Sequence, residues 1–187
     1  MKKKLHQNNV RWLITLIFLF LIGLFVGLEV SQFREVRPFS SQTSKNPKTV
    51  LANVLYVIDG DTIDVVIDGK KERVRLIGID APEVEYEDKP ADCFADESAA
   101  SLKALIDGKA VSLASDPTQG DRDSYGRLLR YAYLSDNTNV NKQMVSQGYA
   151  RQYSYKGIPY QFQKEFQEAE REAKKLKKGL WADGVCQ

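Results

Sequence analysis

The sequence predicts a mainly-β fold: a small barrel of five strands with about three accessory α-helices, preceded by one N-terminal transmembrane helix. Three observations support this prediction. The first 30 residues contain a long uncharged run, and the segment after it is polar and rich in Ser and Gln. The remainder begins with short Val- and Ile-rich stretches separated by turn residues, and it ends in a helical pattern. A length of 187 residues accommodates one compact domain and such an appendage.

The first element is the apolar segment. Residues 12–28 are uncharged and mostly Leu, Ile and Phe; as a helix they would span about 25 Å, close to the roughly 30 Å thickness of the hydrocarbon layer. Cations precede this run, so we predict a cytoplasmic basic tail (1–11), a signal-anchor helix in the lipid bilayer (12–30) and a single-pass cell-membrane protein whose C-terminal domain is extracytoplasmic. The alternative is a cleaved signal peptide and a secreted protein, although no A-x-A-like site follows the run.

The segment between membrane and domain is predicted to be a flexible linker. Residues 31–49 show no sustained period and include two prolines, and the folded domain is expected at 50–187. Within the anchor, Gly23 and Gly27 form a G-x-x-x-G pair that could support weak dimerisation, although glycine is common in such helices. No protein partner is inferred.

The strands are predicted from Val- and Ile-rich stretches bounded by turn residues. The first three are joined by tight Asp-Gly turns, and the five predicted strands lie at 50–58, 62–67, 73–79, 110–114 and 127–134. Their order is typical of a partly open barrel of the oligonucleotide-binding (OB) type. An unrelated α+β sheet fits the same pattern.

Helices are predicted where apolar residues recur at helical spacing and a glycine follows. The three segments are 98–107, 141–147 and 159–178, the last beginning with a proline. In that last segment an apolar stripe predicts a face that packs on the core, made of Phe162, Phe166, Ala169, Ala173 and Leu176.

Composition excludes several kinds of chemistry. The only histidine is His6, in the N-terminal tail, which excludes Ser-His-Asp catalysis, Cys-His catalysis and a Cys/His zinc finger in the domain. Of the 27 basic and 25 acidic residues, residues 31–187 hold 23 and 24, so the domain has no overall cationic character. Chemistry must come from carboxylates, arginines, tyrosines, backbone groups or a bound hard cation.

Acidic residues concentrate at the ends of predicted strands. Asp59 and Asp61 flank the first turn, and Asp80 and Glu83 follow the third strand. If these strands are neighbours, up to four carboxylates converge, and their repulsion requires arginines or a cation such as Ca²⁺. Arginines on the third and fifth strands present donors suited to phosphate oxygens. Taken singly, each acidic motif is more typical of a turn, and each arginine of a surface salt bridge.

Three ordered segments together resemble the signature of the thermonuclease (staphylococcal nuclease-like) family. They are Ile58-Asp59-Gly60-Asp61-Thr62, Arg75-Leu76-Ile77-Gly78-Ile79-Asp80-Ala81-Pro82-Glu83 and Asp123-Ser124-Tyr125-Gly126-Arg127. The similarity extends from about Val50 to Trp181. The resemblance implies a five-stranded OB barrel with three helices that acts as a Ca²⁺-dependent phosphodiesterase on DNA and RNA.

The resemblance also implies a set of metal ligands. By motif position, Asp61 and Asp80 would be carboxylate ligands of Ca²⁺, and Ala81 would supply its backbone carbonyl. Relatives often have Thr at the position of Ala81, so a hydroxyl contact would be lost. Asp59 would be a carboxylate one layer behind these ligands.

Catalytic and substrate-binding residues follow from the same resemblance. Glu83 would orient or deprotonate the attacking water, and Arg75 and Arg127 would bind the scissile phosphate. Tyr153 and Tyr155 resemble a tyrosine-containing substrate segment, with a difference of about one residue in spacing; packing against the last helix is the alternative.

The two cysteines are candidates for a disulfide. Cys93 precedes the first predicted helix and Cys186 lies beside the C-terminus. An extracytoplasmic compartment would allow them to pair and tie down the tail, and two unpaired thiols are the alternative.

These observations predict a membrane-anchored, extracytoplasmic, Ca²⁺-dependent endonuclease with DNA and RNA as substrates. A non-catalytic nucleic-acid-binding OB module on the cell surface is the alternative, and a degenerate site would favour it. All of the side chains that define the site are present, namely Asp61, Arg75, Asp80, Glu83 and Arg127. A surface domain that binds protein or sugar is a further competitor.

Overall fold

The computed structural model describes residues 49–186, which contain seven strands and three α-helices. The strands are β1 (Thr49–Val57), β2 (Thr62–Ile67), β3 (Lys70–Leu76), β4 (Ile79–Asp80), β5 (Ala110–Ala114), β6 (Leu128–Tyr133) and β7 (Arg151–Gln152). The helices are α1 (Ala95–Ile106), α2 (Val140–Ser146) and α3 (Gln163–Lys175). Two short 3-10 turns follow β7 and α3, at Tyr155–Gly157 and Gly179–Trp181.

Five of the strands close into a barrel with the spatial order β1-β2-β3-β6-β5. Neighbouring strands are antiparallel except β3 and β6, which run parallel with Val74 opposite Leu128. Pairing of β1 with β5 completes the closure. The predicted five-stranded barrel is therefore confirmed, and the alternative of an unrelated α+β sheet is wrong. The expectation that the barrel is partly open was also wrong, because pairing of β1 with β5 closes it.

The barrel interior and the adjoining helix faces form one hydrophobic core. Alternate residues of the strands face inward and are fully buried, as in β2, where Ile63 and Val65 have no exposed surface. Helix α3 contributes Phe166, whose ring makes edge contacts with Tyr131 of β6. This packing fixes the strand ends from which the polar residues described below project.

The predicted last helix is shorter at both ends. It was expected at 159–178, but the α-helix spans Gln163–Lys175. Residues 159–161 do not join the helix because their backbone groups bond the β5–β6 loop: Pro159 O accepts from Thr118 Oγ1 and Gln161 N donates to Asp116. Leu176 caps the helix and is 58% exposed, so its assignment to the core-facing stripe was wrong.

The predicted third strand, at 73–79, is interrupted. Gly78 has φ of 81°, and a Cβ at this position would lie 2.6 Å from the Tyr160 ring. A glycine is needed both for that backbone conformation and for the close approach. The break separates β3 from β4, and β4 pairs with β7 in a second, two-stranded sheet that the sequence pattern did not predict.

A disulfide links the start of α1 to the C-terminal tail. The Sγ atoms of Cys93 and Cys186 are 2.12 Å apart and the Cα atoms 5.8 Å apart. The tail itself docks on the domain, because Leu180 is buried and its backbone N–H donates to Gly148 O at 2.8 Å.

The predictions for the N-terminal region lie outside the described residues. They comprise the basic tail (1–11), the membrane helix (12–30), the Gly23 and Gly27 pair and the linker up to residue 48. In residues 49–186, none of the helices combines the length and the apolar character that crossing a bilayer requires.

Candidate active site

The turn between β1 and β2 carries the first two carboxylates and is tightly constrained. Ile58 N and Asp59 N both donate to Thr62 O, and Asp61 N donates to Asp59 Oδ1 at 2.8 Å. Asp61 O accepts from Leu76 N at 2.8 Å, which ties the turn to the end of β3. The turn therefore has one conformation, set from both sides.

Gly60 lets helix α1 press directly on this turn. A Cβ at Gly60 would lie 1.9 Å from Ser98 Oγ and 2.6 Å from Ala81 Cβ. Ser98 is fully buried, and its hydroxyl donates to Tyr149 O at 2.7 Å. The absence of a side chain at Gly60 thus brings the turn against α1 and against the segment that follows β4.

Arg75 bridges the carboxylates of Asp61 and Asp80. Its Nη1 forms an ion pair with Asp61 Oδ1, and its Nη2 donates to Asp80 Oδ1 at 2.8 Å and to Ile79 O at 3.3 Å. Asp61 is buried, and its Oδ2 accepts from Ala81 N at 2.7 Å. Asp80 is 48% exposed. The two carboxylates therefore share one positive group, at the boundary between the core and solvent.

Burial and charge shift the proton affinities of this cluster. Burial raises the pKa of the Asp59 carboxyl, and the positive charge of Arg75 opposes that increase. Burial lowers the pKa of the Arg75 guanidinium, and Asp80 and Asp59 oppose that decrease. The buried cation and the buried carboxylates thus stabilise each other's charged forms.

Glu83 lies at the rim of the cluster on an exposed loop. Partial burial raises the pKa of its carboxyl; Asp59 and Asp80 add to the increase, while Arg75 and Arg127 oppose it. The charges of four other residues thus act on the pKa of this one carboxyl. A raised carboxylate pKa suits a group that accepts a proton near neutral pH.

Arg127 is held by the loop that precedes β6. Its Nε donates to Asp123 Oδ2 at 2.6 Å and its backbone N–H to Asp123 Oδ1 at 2.9 Å. Arg122 makes two bonds to Glu72 of β3, at 2.8 and 2.9 Å, and donates to Gly126 O. Asp123, Arg122 and Glu72 were not predicted as site residues, although the Asp-x-x-x-Arg spacing could have indicated the first.

A cavity of about 440 Å³ opens beside the arginines. Arg75, Asp80 and Arg127 are among its lining residues. Four tyrosines also line it, namely Tyr125, Tyr153, Tyr155 and Tyr160. Tyr125 is 83% exposed and lies 5.3 Å from the Arg127 guanidinium. The cavity thus combines cationic donors with aromatic faces.

Of the residues predicted from sequence, five line this cavity: Arg75, Asp80, Arg127, Tyr153 and Tyr155. Asp61 and Ala81 lie directly behind Arg75 and Asp80, joined by the bond from Ala81 N to Asp61. Asp59 lies within the β1–β2 turn and accepts from Asp61 N, and Glu83 lies on the adjoining loop without lining the cavity. Tyr125 and Tyr160 also line the cavity but were not predicted to do so.

A buried network joins two walls of the cavity. Asp116 accepts from Tyr131 OH at 2.5 Å, from Gln161 N at 2.8 Å and from two groups of Thr118. Burial would raise the pKa of Asp116, but these hydrogen bonds outweigh it and lower the pKa. The network fixes the β5–β6 loop to the segment that carries Tyr160.

The donor set near Arg75 fits a hard cation. The carboxylates of Asp61 and Asp80 and the carbonyl of Ala81 provide oxygen atoms, which Ca²⁺ prefers. In residues 49–186 no group of three or more His, Cys, Asp or Glu side chains is arranged to hold a metal. In this structure Arg75 and the Ala81 N–H engage the two Asp61 oxygens, so a cation bound there would replace one of these partners.

The chain is similar both to a known protein family and to individual known proteins. Residues 73–183 match the family described as staphylococcal nuclease homologue. The chain is 32% identical over 170 residues to the thermonuclease of Staphylococcus hyicus, covering 91% of this chain and 98% of that protein. It is 37% identical over 146 residues to endonuclease YncB of Bacillus subtilis (strain 168), covering 74% of this chain and 65% of that protein. It is 35% identical over 142 residues to a micrococcal nuclease of Shigella flexneri, covering 72% and 75%.

Proposed function

This chain belongs to the staphylococcal nuclease family and is a nuclease that hydrolyses phosphodiester bonds, and from that premise we propose that it is a Ca²⁺-dependent endonuclease of DNA, RNA or both. The observation that carries the proposal is the position of Arg75. It contacts Asp61 and Asp80 at the edge of the tyrosine-lined cavity that also contains Arg127. Groups for a cation and groups for a phosphate therefore meet at one place.

Asp61, Asp80 and the Ala81 carbonyl are the proposed holders of Ca²⁺. When bound, Ca²⁺ would supply positive charge that polarises a phosphate and lowers the pKa of a nearby water. Asp59 supports the Asp61 position through the bond from Asp61 N. Replacement of the family's usual Thr by Ala81 leaves the backbone carbonyl in place.

Arg75 and Arg127 are proposed to bind the scissile phosphate. Each guanidinium offers a planar set of donors that matches two phosphate oxygens. A pentacoordinate phosphoryl transition state carries more charge on these oxygens than the ground state, so fixed donors stabilise it preferentially. Asp123 keeps Arg127 oriented before the substrate arrives.

Glu83 is proposed to orient the attacking water and to accept its proton. Its carboxyl pKa is raised by burial and by Asp59, which makes it a stronger base than an isolated carboxylate. Tyr153 and Tyr155 are proposed to hold the nucleoside next to the scissile bond, because aromatic faces bind bases with little dependence on sequence.

We propose that residues 12–30 anchor the enzyme in the cell membrane with the nuclease domain outside, and that Gly23 and Gly27 allow weak dimerisation. The Cys93–Cys186 disulfide supports an oxidising compartment. Intact cells that express the full chain should then cleave an added oligonucleotide, with activity retained in the washed membrane fraction. Activity found only in the culture medium would instead indicate a cleaved signal peptide.

The nuclease assignment is tested with the purified full-length chain and fluorescent single-stranded DNA and RNA. Cleavage should require Ca²⁺ and stop when a chelator is added. Glu83→Ala and Arg127→Ala should each lower kcat by at least a hundredfold, in line with loss of a general base or an oriented phosphate donor.

Matched controls use the same residue types outside the site. Glu85→Ala and Arg171→Ala remove an exposed glutamate and an exposed arginine, and both should cleave at the wild-type rate. Cleavage that persists in the chelator, or that survives in Glu83→Ala, would contradict the proposed metal or the proposed base respectively.

A further inference from the structure

The position of Glu83 depends on a closed loop. Within residues 49–186 the Glu83 side chain has no hydrogen-bond partner, so only its backbone holds it. The loop from 83 to 92 folds back on itself, with Tyr86 and Lys89 exchanging two backbone bonds of 3.1 and 2.9 Å. The two ends of the loop therefore lie side by side.

Asp92 joins these ends. Its Oδ2 accepts from Glu83 N at 3.2 Å, and its backbone N–H donates to Glu83 O at 2.9 Å. Asp92 O in turn accepts from Ala95 N at 3.2 Å, at the first residue of α1. The backbone of Glu83 is thus bonded on both its N–H and its C=O to one residue at the start of a helix.

The disulfide anchors the next residue along the chain. Cys93 is exposed and bonded to Cys186, across a sequence separation of 93. The tail that carries Cys186 docks through buried Leu180, whose N–H donates to Gly148 O. Asp92 therefore lies next to a cysteine that is cross-linked to a docked tail.

We propose that Asp92 is a positioning residue for Glu83 and that the Cys93–Cys186 disulfide makes this positioning sensitive to reduction. The proposal rests on the proposed role of Glu83. Oxidised, the enzyme holds the Glu83 carboxylate where it meets the attacking water. Reduction by a dithiol opens the disulfide to two thiols and oxidises the dithiol, so that the loop loses its anchor and kcat falls while the domain stays folded.

The first test compares Asp92→Ala, Asp92→Asn and Asp88→Ala in the full chain. Misplacement of a catalytic group by about 1 Å can lower a rate by about a hundredfold, so Asp92→Ala should lower kcat by about ten- to a hundredfold with KM unchanged. Asp92→Asn keeps an oxygen acceptor for Glu83 N and should recover most of that loss. Asp88, an exposed carboxylate of the same loop, should be dispensable. A rise in KM without a fall in kcat would overturn the proposal.

The second test places Asp92→Ala in a Glu83→Gln background. If Asp92 acts through Glu83, the double variant should be no slower than Glu83→Gln alone. Equal losses in both backgrounds would overturn the positioning role. Wild-type kcat in Glu83→Gln would refute the proposed role of Glu83 itself, which is a separate outcome.

The third test uses reductant. Dithiothreitol should lower wild-type kcat severalfold, reversibly on reoxidation, and should not change the activity of Cys93→Ser/Cys186→Ser, which lacks both cysteines of the chain. That double variant should match the reduced wild type in kcat and retain the wild-type KM and far-UV circular dichroism. Full activity of folded, reduced enzyme would overturn the redox part of the proposal.

Discussion

Replacement of Gly60 by alanine should both destabilise the domain and damage the site. The added Cβ would lie 1.9 Å from Ser98 Oγ, 2.6 Å from Ala81 Cβ and 3.0 Å from Ser98 Cβ. Neither neighbour can move freely, because Ser98 is buried in α1 and Ala81 is bonded to Asp61. Overpacking of this kind costs about 1–3 kcal/mol, and loss of the Ser98–Tyr149 hydrogen bond adds about 1 kcal/mol.

We therefore expect Gly60→Ala to lower the free energy of unfolding by about 2–4 kcal/mol. Urea denaturation monitored by circular dichroism measures this change, and the same samples should show reduced kcat because Ala81 is displaced. Gly120→Ala is the matched control, since its Cβ would meet only Arg122 O at 3.5 Å and its backbone φ is not in the left-handed region. Its stability should change by less than about 1 kcal/mol.

A double-mutant cycle tests the contact between the β1–β2 turn and α1. Ser98→Ala removes the 1.9 Å contact and leaves the others, so it should recover part of the Gly60→Ala loss, with a coupling energy of about 1 kcal/mol or more. Additive effects of the two substitutions, or wild-type stability in Gly60→Ala, would show that the turn and α1 are not in the contact described.

Three further predictions concern charge and hydrogen bonding. The hydrogen bond from Arg73 lowers the pKa of buried Asp64 from 3.8 to about 2. The free energy of unfolding of the wild type should therefore fall by about 1–2 kcal/mol between pH 4 and pH 2, and Asp64→Asn should lack this part of the decrease. Identical pH dependences of the two proteins would contradict this. Asp123→Ala should lower kcat/KM at least tenfold, because Arg127 loses the carboxylate that orients it. The kcat/KM of Asp123→Asn should lie between those of Asp123→Ala and the wild type, and an unchanged kcat/KM in Asp123→Ala would refute the orienting role. Tyr131→Phe should reduce unfolding free energy by about 1–3 kcal/mol in urea, because Asp116 loses a buried donor; no change would mean that the remaining donors suffice.

The sign of the Asp64 effect follows from linkage. The folded-state pKa is depressed, so the native state holds fewer protons than the unfolded state over the interval between the two values. The stabilising contribution is complete above about pH 4 and disappears as the pH falls through 2. The asparagine variant lacks the titrating group and so lacks this part of the acid dependence.

Much of the barrel was predictable because its signals are local. Asp-Gly turns and Val- and Ile-rich runs indicate β1, β2 and β3 directly, and glycines mark the ends of α1 and α2. The break at Gly78 was not predictable, because it depends on Tyr160, which is 82 residues away in the chain. The start of α3 was misplaced for a similar reason, because Gln161 N donates to Asp116 and Pro159 O accepts from Thr118, residues more than 40 positions earlier.

The site was predictable only as a set of residue types. Motif order singled out Asp61, Arg75, Asp80 and Arg127. The structure places the last three on the lining of one cavity and Asp61 buried behind them, paired with Arg75. The residues that hold these side chains in place are harder to recognise in the sequence. Asp92 accepts from Glu83 N across an exposed loop whose residues show no periodic pattern, so the sequence gives no sign of that contact.

The parallel pairing of β3 with β6 has a consequence for refolding. Arg75 faces Leu129 across that ladder, and Arg127 lies one residue before the first pair, Val74 with Leu128. The distance between the two arginines is therefore undefined until segments about 50 residues apart have met. A chain in which β6 has not yet paired with β3 should therefore have no cleavage activity. In a refolding experiment, the return of cleavage should report the moment of barrel closure and should lag behind signals from the local β1–β2–β3 hairpins.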